Sequence, residues 1–216
     1  MTRLHYEVLD AQTATVFRRL GRSPELSGFY VAGGTALALQ MGHRISLDLD
    51  LFSERPWSQD VLLAALRTLG PVVVDLQSEG TLNGTVAGAR ISLFHYPYLL
   101  LEPPLPTPEG LPLASPLDIA CMKLVAVSQR GSRKDFVDLY FLRETGVDLE
   151  RALEALPRKM PGVEHNPVHI ARSLAYFADA EAEPELRMLI PAAWRDVRDY
   201  HLAESRRLLR TILETW

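Results

Sequence analysis

The chain is short of cysteine, of lysine, of net positive charge and of long apolar runs, and each shortage removes a class of function. Its one cysteine, Cys121, forbids an intrachain disulfide and a cysteine-rich metal site. Set within an apolar run, it reads as a small buried hydrophobe. No apolar stretch reaches the roughly 18–20 residues that a bilayer span requires, because Pro, Asp, Arg or Lys interrupts each candidate. The first residues, Met1 to Glu7, lack the apolar core of a secretory signal. The expectation is a soluble cytoplasmic protein with no membrane partner. Lysine and arginine number 23 against 27 aspartates and glutamates, a net charge of −4. That excludes coating nucleic acid through bulk charge but leaves a local basic patch open. There is no basic tail, acidic arm, internal repeat or low-complexity tract.

What is present is an ordinary globular composition: 216 residues, 47% apolar and 23% charged, enough for one large domain or two small ones. Apolar spacing predicts helices over residues 5–22, 35–41 and 57–69, the last with Ser58 as N-cap. Short strands are expected over 28–32, 45–51 and 71–76. A hairpin of 81–86 and 90–95 is expected to turn at Ala87-Gly88. Six prolines over 97–112 imply an extended connector across the surface. Ser115-Pro116-Leu117-Asp118 is a helix start, with an N-cap, Pro at N1 and an acid at N3. That helix runs to about Gln129. Ser132 opens another that ends near Gly146, and helical patterns follow over 148–157, 167–178 and 186–215. The class is α+β, with an α/β core over 1–97, a connector over 98–114 and a helical part over 115–216.

Four features could carry chemistry. Gly33-Gly34-Thr35 sits between a strand and a helix, where glycine permits a sharp turn and the helix start suits phosphate; a plain tight turn explains it equally. Asp48 and Asp50 are i and i+2 in an alternating strand, hence on one face, with Ser46 alongside. Two such carboxylates repel unless a cation lies between them, and Mg²⁺ favours that oxygen geometry. A solvated acidic edge is the alternative, against which Leu47, Leu49 and Leu51 with Phe52 suggest a buried opposite face. Lys123 lies in a helix apolar nearly all round, so it either snorkels outward or meets an anion. In Ser132-Arg133-Lys134-Asp135, the serine and Asp135 form a capping box, whereas Asp138, one turn on, either pairs with Lys134 or faces a site. Arg130, Arg133 and Lys134 could steer a polyphosphate or an RNA backbone, or simply decorate a helix end. The spacing of His165 and His169, broken by Pro167, does not make a zinc site.

The order of these features resembles the polymerase-β-type nucleotidyltransferase signature: a Gly-Gly turn opening a helix, then D-x-D on the next strand. Three stretches are similar to the nucleotidyltransferase AbiEii toxin family. They are Gly33-Gly-Thr-Ala-Leu-Ala-Leu39 with Arg44-Ile-Ser-Leu-Asp-Leu-Asp-Leu-Phe52; Ser115-Pro-Leu-Asp-Ile-Ala-Cys-Met-Lys-Leu124; and Arg133-Lys-Asp-Phe-Val-Asp-Leu139. The resemblance implies a polymerase-β-like core with a mixed sheet and flanking helices, followed by a helical C-terminal part. It implies an NTP-dependent enzyme with Mg²⁺ as cofactor, acting as a toxin beside a cognate antitoxin protein, with RNA, in the form of a tRNA 3′ end, as acceptor. Asp48 and Asp50 would hold the metal. Gly33, Gly34 and Ser46, with Thr35 and Arg44 in the same blocks, would line the triphosphate. Lys123 would neutralise phosphate charge. Asp138, with Asp135, Arg133 and Lys134 beside it, would complete the site, Asp138 as base for the attacking hydroxyl.

The sequence departs from the wider superfamily at one point. A third metal-binding carboxylate is expected on a later strand, where this chain offers Ser92, with Asp75 the nearest acid on a neighbouring strand. Two rival readings follow: a catalytically degenerate NTP-binding or partner-binding protein of the same fold, or a transferase that modifies a protein or itself, with Ser46 as a candidate acceptor.

Overall fold

The computed structural model describes residues 3–215. The chain divides between Ser115 and Pro116 into two compact units.

The first unit is a mixed five-stranded sheet with three α-helices. In chain order these are α1 (Ala11–Leu20), β1 (Tyr30–Val31), α2 (Gly33–Met41), β2 (Asp48–Ser53), α3 (Gln59–Leu69), β3 (Val72–Ser78), β4 (Thr81–Val86) and β5 (Ala89–His95). The strand order is β1-β2-β5-β4-β3. β2 and β5 run parallel, and the other pairs are antiparallel. Alternation along β2 and β5 buries Leu49, Leu51, Ile91 and Leu93 on one face. The buried stripes of α1 (Val16, Phe17, Leu20) and α3 (Leu62, Leu66) complete that core. The expected hairpin forms, with Ala87 at φ 47° and Gly88 at φ 83°. A two-residue turn with both residues left-handed matches the twist of its strands.

Several boundaries differ from the sequence expectation, each for a local reason. The helix expected over 5–22 is a 3₁₀ turn (Tyr6–Val8) followed by α1. The Asp10 carboxylate accepts the Thr13 N–H at 2.6 Å, and this cap holds Asp10 extended and restarts the helix. The strand expected over 45–51 begins only at Asp48. Ser46 donates its backbone N–H to the Val8 carbonyl at 3.0 Å and so is not available to β5. Leu47 is exposed rather than buried with Leu49 and Leu51, and Phe52, two residues after Asp50, falls by alternation on the face of the acids and not on the buried one. The proline-rich segment does not stay on the surface. Leu111 and Leu113 are fully buried, and Leu113 bridges both Leu105 and Val31, extending the sheet beside β1.

The second unit is all helical: α4 (Pro116–Gln129), α5 (Arg133–Leu142), a 3₁₀ turn (Arg143–Thr145), α6 (Leu149–Lys159), α7 (Pro167–Ser173), α8 (Ala178–Ala182) and α9 (Trp194–Thr215). α4 packs against α5, α6 and α7, and α9 against α5 and α7. The core is aliphatic around Leu117, Leu124, Leu139 and Leu156, with Phe136 fully buried. Cys121 is buried as expected. Its thiol donates to the Ala152 carbonyl at 3.3 Å, and burial pushes its pKa up to about 12, so it is no thiolate nucleophile. α7 stops at Ser173, short of 178, and residues 186–193 are not helical. Pro184 and Pro191 remove backbone donors and disfavour helix in the residues before them. Among the described residues no helix is long and apolar enough to cross a membrane.

Candidate active site

In the first unit the strand–helix junction brings the glycine turn to the acid pair. Gly33 adopts φ +65°, a left-handed conformation that favours glycine. A Cβ placed there would lie 3.4 Å from Asp50 Oδ2, so the carboxylate rests against bare backbone at the start of α2. The Ala32 N–H donates to the Asp50 carbonyl at 3.1 Å, locking the junction to β2. Thr35 and Ser46 serve the same junction. The Asp48 carbonyl can only accept, so the Thr35 hydroxyl donates to it. Thr35 then receives the Ser46 hydroxyl at 2.7 Å. Both side chains are buried, so these two hydroxyls brace α2 on β2. Arg44 is buried as well, with Nη1 donating to the Ile45 carbonyl at 3.1 Å.

The face of β2 that carries the acids is read across the sheet in rows. Asp48 lies opposite Arg90 on β5, and Arg90 opposite Thr85 on β4. Asp50 lies opposite Ser92, and Ser92 opposite Asn83. The Asp48 side chain is 42% exposed and 3.9 Å from the Arg90 guanidinium. The expected place of a third carboxylate is therefore filled by Ser92. Asp75 is not on a neighbouring strand at all. It is on β3, the far edge of the sheet, with β5 and β4 between it and β2. Asn83 carries a buried amide oxygen with no hydrogen-bond partner among the described residues. Neither Arg90 nor Asn83 stood out in the sequence, because only the β2–β5–β4 register brings them onto this face.

Two carboxylates on one strand face, Asp50 with only neutral Ser92 and Asn83 across from it and Asp48 partly exposed to solvent, suit a hard divalent cation that keeps waters and takes phosphate oxygens as its other ligands. Among the described residues no group of three or more His, Cys, Asp or Glu side chains is assembled to hold a metal.

The second unit gathers the other candidates around Lys123. Its ammonium donates to Asp135 Oδ1 at 2.7 Å and lies 2.8 Å from Asp138 Oδ2. All three side chains are buried. Lys123 therefore does not snorkel; it meets two carboxylates of its own unit. The Ser132 hydroxyl donates to Asp135 Oδ2 at 2.6 Å and makes no side-chain cap to α5, so the capping-box expectation is corrected: Asp135 belongs to the lysine. Arg133 is committed locally. Its backbone N–H donates to Glu183 at 2.9 Å, its Nε donates to the Ala180 carbonyl at 3.0 Å, and its guanidinium lies 4.9 Å from the Trp194 ring centre. Lys134 is partly exposed on the same turn. His169 Nε2 meets the Ser128 carbonyl at 3.0 Å.

Comparison with known proteins fits this geometry. The family model described as nucleotidyl transferase AbiEii toxin, type IV TA system, matches residues 15–107 and 81–214. An uncharacterized protein of Aquifex aeolicus is 39% identical over 176 residues, covering 80% of this chain and 84% of that protein. Two solved structures share the fold at 14% identity. One, from H. pylori and described as a candidate nucleotidyltransferase, has a TM-score of 0.56 over 98% of this chain and 96% of that one. The other, the nucleotidyltransferase toxin MenT4 from Mycobacterium tuberculosis, has a TM-score of 0.50 over 91% and 85%. With the Gly-Gly turn, the acid pair and the Lys123 cluster all inside the matched residues, the chain belongs to the AbiEii family of nucleotidyltransferase toxins of type IV toxin–antitoxin systems.

Proposed function

We propose that the enzyme moves a nucleotidyl group from an NTP to an RNA end, with the tRNA 3′ end as acceptor, in the cytoplasm and with Mg²⁺ as cofactor. The observation that carries this reading is the acid pair of β2, with the Asp50 carboxylate against the left-handed Gly33 that opens α2. On this reading Asp48 and Asp50 hold the metal. When bound, Mg²⁺ offsets charge on the phosphate oxygens as transfer proceeds. The free N–H groups at the start of α2, exposed by Gly33 and Gly34, receive phosphate. Arg90, exposed beside Asp48, adds positive charge to that end of the face. Thr35, Ser46 and Arg44 hold the junction in shape. Lys123 and Asp138, paired with each other and buried, hold α4 and α5 together within the helical unit. Asp135 and Ser132 keep that pair oriented, and Arg133 and Lys134 favour the RNA backbone.

A growth assay tests the reading. Induced expression of the wild-type chain without its antitoxin should arrest growth, and Asp48→Ala should relieve the arrest. Full toxicity of Asp48→Ala would sink it. Ser92 in the third acid's place favours one alternative, an NTP-binding protein of the same fold without transfer. Thermal stabilisation by NTP and Mg²⁺, with no label entering any RNA, would support that alternative. Modification of Ser46 is disfavoured, because its hydroxyl is buried and already donated to Thr35.

A further inference from the structure

The face that carries Asp48 and Asp50 continues along the same strands into a wall of aromatic rings. Phe52 follows Asp50 at i+2 and lies opposite Phe94 on β5, with Tyr30 of β1 on its other side. The Phe52 and Phe94 ring centres are 5.1 Å apart at 30°. Tyr30 stacks on Phe52 at 5.9 Å and 24°. Tyr96 meets Phe52 edge-on at 5.4 Å, and Tyr98 meets Tyr96 at 4.8 Å. Phe52, Phe94, Tyr96 and Tyr98 all keep part of their surface exposed.

The two faces of β2 and β5 differ in kind. The core face is aliphatic throughout: Leu49, Leu51, Ile91 and Leu93. The acid face places carboxylates in its first two rows and rings in its third. Aliphatic residues would fill a core equally well, whereas a half-exposed wall of flat rings beside a charged row suits a ligand with a charged end and a flat apolar end. Two residues of strand advance roughly 6.7 Å, which is the scale of one ribose. A phosphate held at Asp50 therefore places its own base, or the base of the nucleotide joined to it, at the Phe52 row. The middle row offers neutral polar groups, Ser92 and Asn83, where a sugar would lie.

We propose that the rings of Phe52, Phe94 and Tyr96 stack a nucleobase presented beside Asp50, either that of the NTP or that of the RNA 3′ nucleotide. This rests on the nucleotidyltransferase reading of the acid pair and adds the base-binding part of the site. Stacking on a ring is tolerant of base identity, so modest discrimination among the four NTPs is expected.

Binding is measured by titration of the whole chain with Mg²⁺ and each of four probes: an NTP, tripolyphosphate, a short single-stranded RNA, and the same RNA lacking its 3′ base. Phe52→Leu and Tyr96→Leu keep apolar bulk and remove the ring; Tyr96→Phe keeps the ring. The leucine variants should weaken the base-bearing probe roughly 5- to 100-fold. Tripolyphosphate and base-less RNA should bind as to wild type, and Tyr96→Phe should match wild type. Loss confined to the NTP assigns the wall to the incoming nucleotide, and loss confined to the RNA assigns it to the acceptor. Unchanged affinity for every base-bearing probe overturns the proposal, as does an equal loss for the base-less probes. Should Phe52→Leu fail to fold, Tyr96→Leu carries the test, since Tyr96 lies just beyond the end of β5. The readout needs no turnover, so a wild-type protein that discriminates bases yet transfers nothing would count against the proposed function alone.

Discussion

At the scale of single residues, burial decides what a titratable group can do. His201 on α9 is fully buried, and its Nε2 donates to the Phe136 carbonyl at 2.8 Å while Nδ1 lacks a partner among the described residues. Loss of solvent lowers its pKa from 6.5 to about 4. Between those values the unfolded chain binds the proton and the folded one does not, so stability rises with pH across that window. The contribution is complete above about pH 6.5 and is lost as pH falls toward 4, up to about 3 kcal/mol. Urea titrations at pH 7 and pH 5 should show the fall, and His201→Phe should flatten it. An equal fall in the variant would assign the acid limb elsewhere. Lys123 is the opposite case, a buried charge held by partners. Lys123→Met leaves two buried carboxylates facing each other and should cost about 3–5 kcal/mol. Adding Asp135→Asn and Asp138→Asn should recover most of that loss in the same urea measurement. No recovery would mean the lysine acts through packing alone.

At the scale of elements, the register of β2 on β5 is what defines the face. It pairs Asp50 with Ser92, so Ser92→Asp would set a third carboxylate beside the pair. That variant should bind Mg²⁺ and Mn²⁺ more tightly by calorimetry and transfer faster if the two-acid site limits the rate. Unchanged metal affinity would show that row two does not face the metal. The same register marks where sequence reading stops. The hairpin at Ala87-Gly88 was legible because its turn chemistry is local. So were α4, from Ser115-Pro116, and the i,i+2 placement of Asp48 and Asp50, from alternation. Arg90 beside Asp48 was not, because a parallel pairing closed over some forty residues leaves no local trace. The start of β2 at Asp48 was hidden for the same reason: Ser46 is held by Val8, from the chain's beginning. Lys123 was legible only as a lysine that either snorkels or meets an anion. That both Asp135 and Asp138 would claim it depended on how α4 packs against α5, which periodicity does not report.

At the scale of the whole molecule, two units carry the family's blocks separately: the glycine turn and the acid pair in the sheet unit, the lysine–aspartate cluster in the helical one. A net charge of −4 excludes a bulk electrostatic RNA binder and nothing narrower. Some of the acidic excess is now placed: Asp48 and Asp50 on a strand face, Asp135 and Asp138 around Lys123, and Asp118 against Lys159 at 2.7 Å in a fully buried pair between α4 and α6. On the proposed reading positive charge is local, at Arg90 beside Asp48. The two solved structures at 14% identity keep the architecture with little sequence in common. The most direct test incubates α-labelled NTPs with total RNA, Mg²⁺ and either the wild-type chain or Asp48→Ala. Label entering a discrete RNA species with wild type, abolished by chelator and lost by at least a hundredfold in Asp48→Ala, is the predicted result. Label entering RNA equally with Asp48→Ala would contradict it.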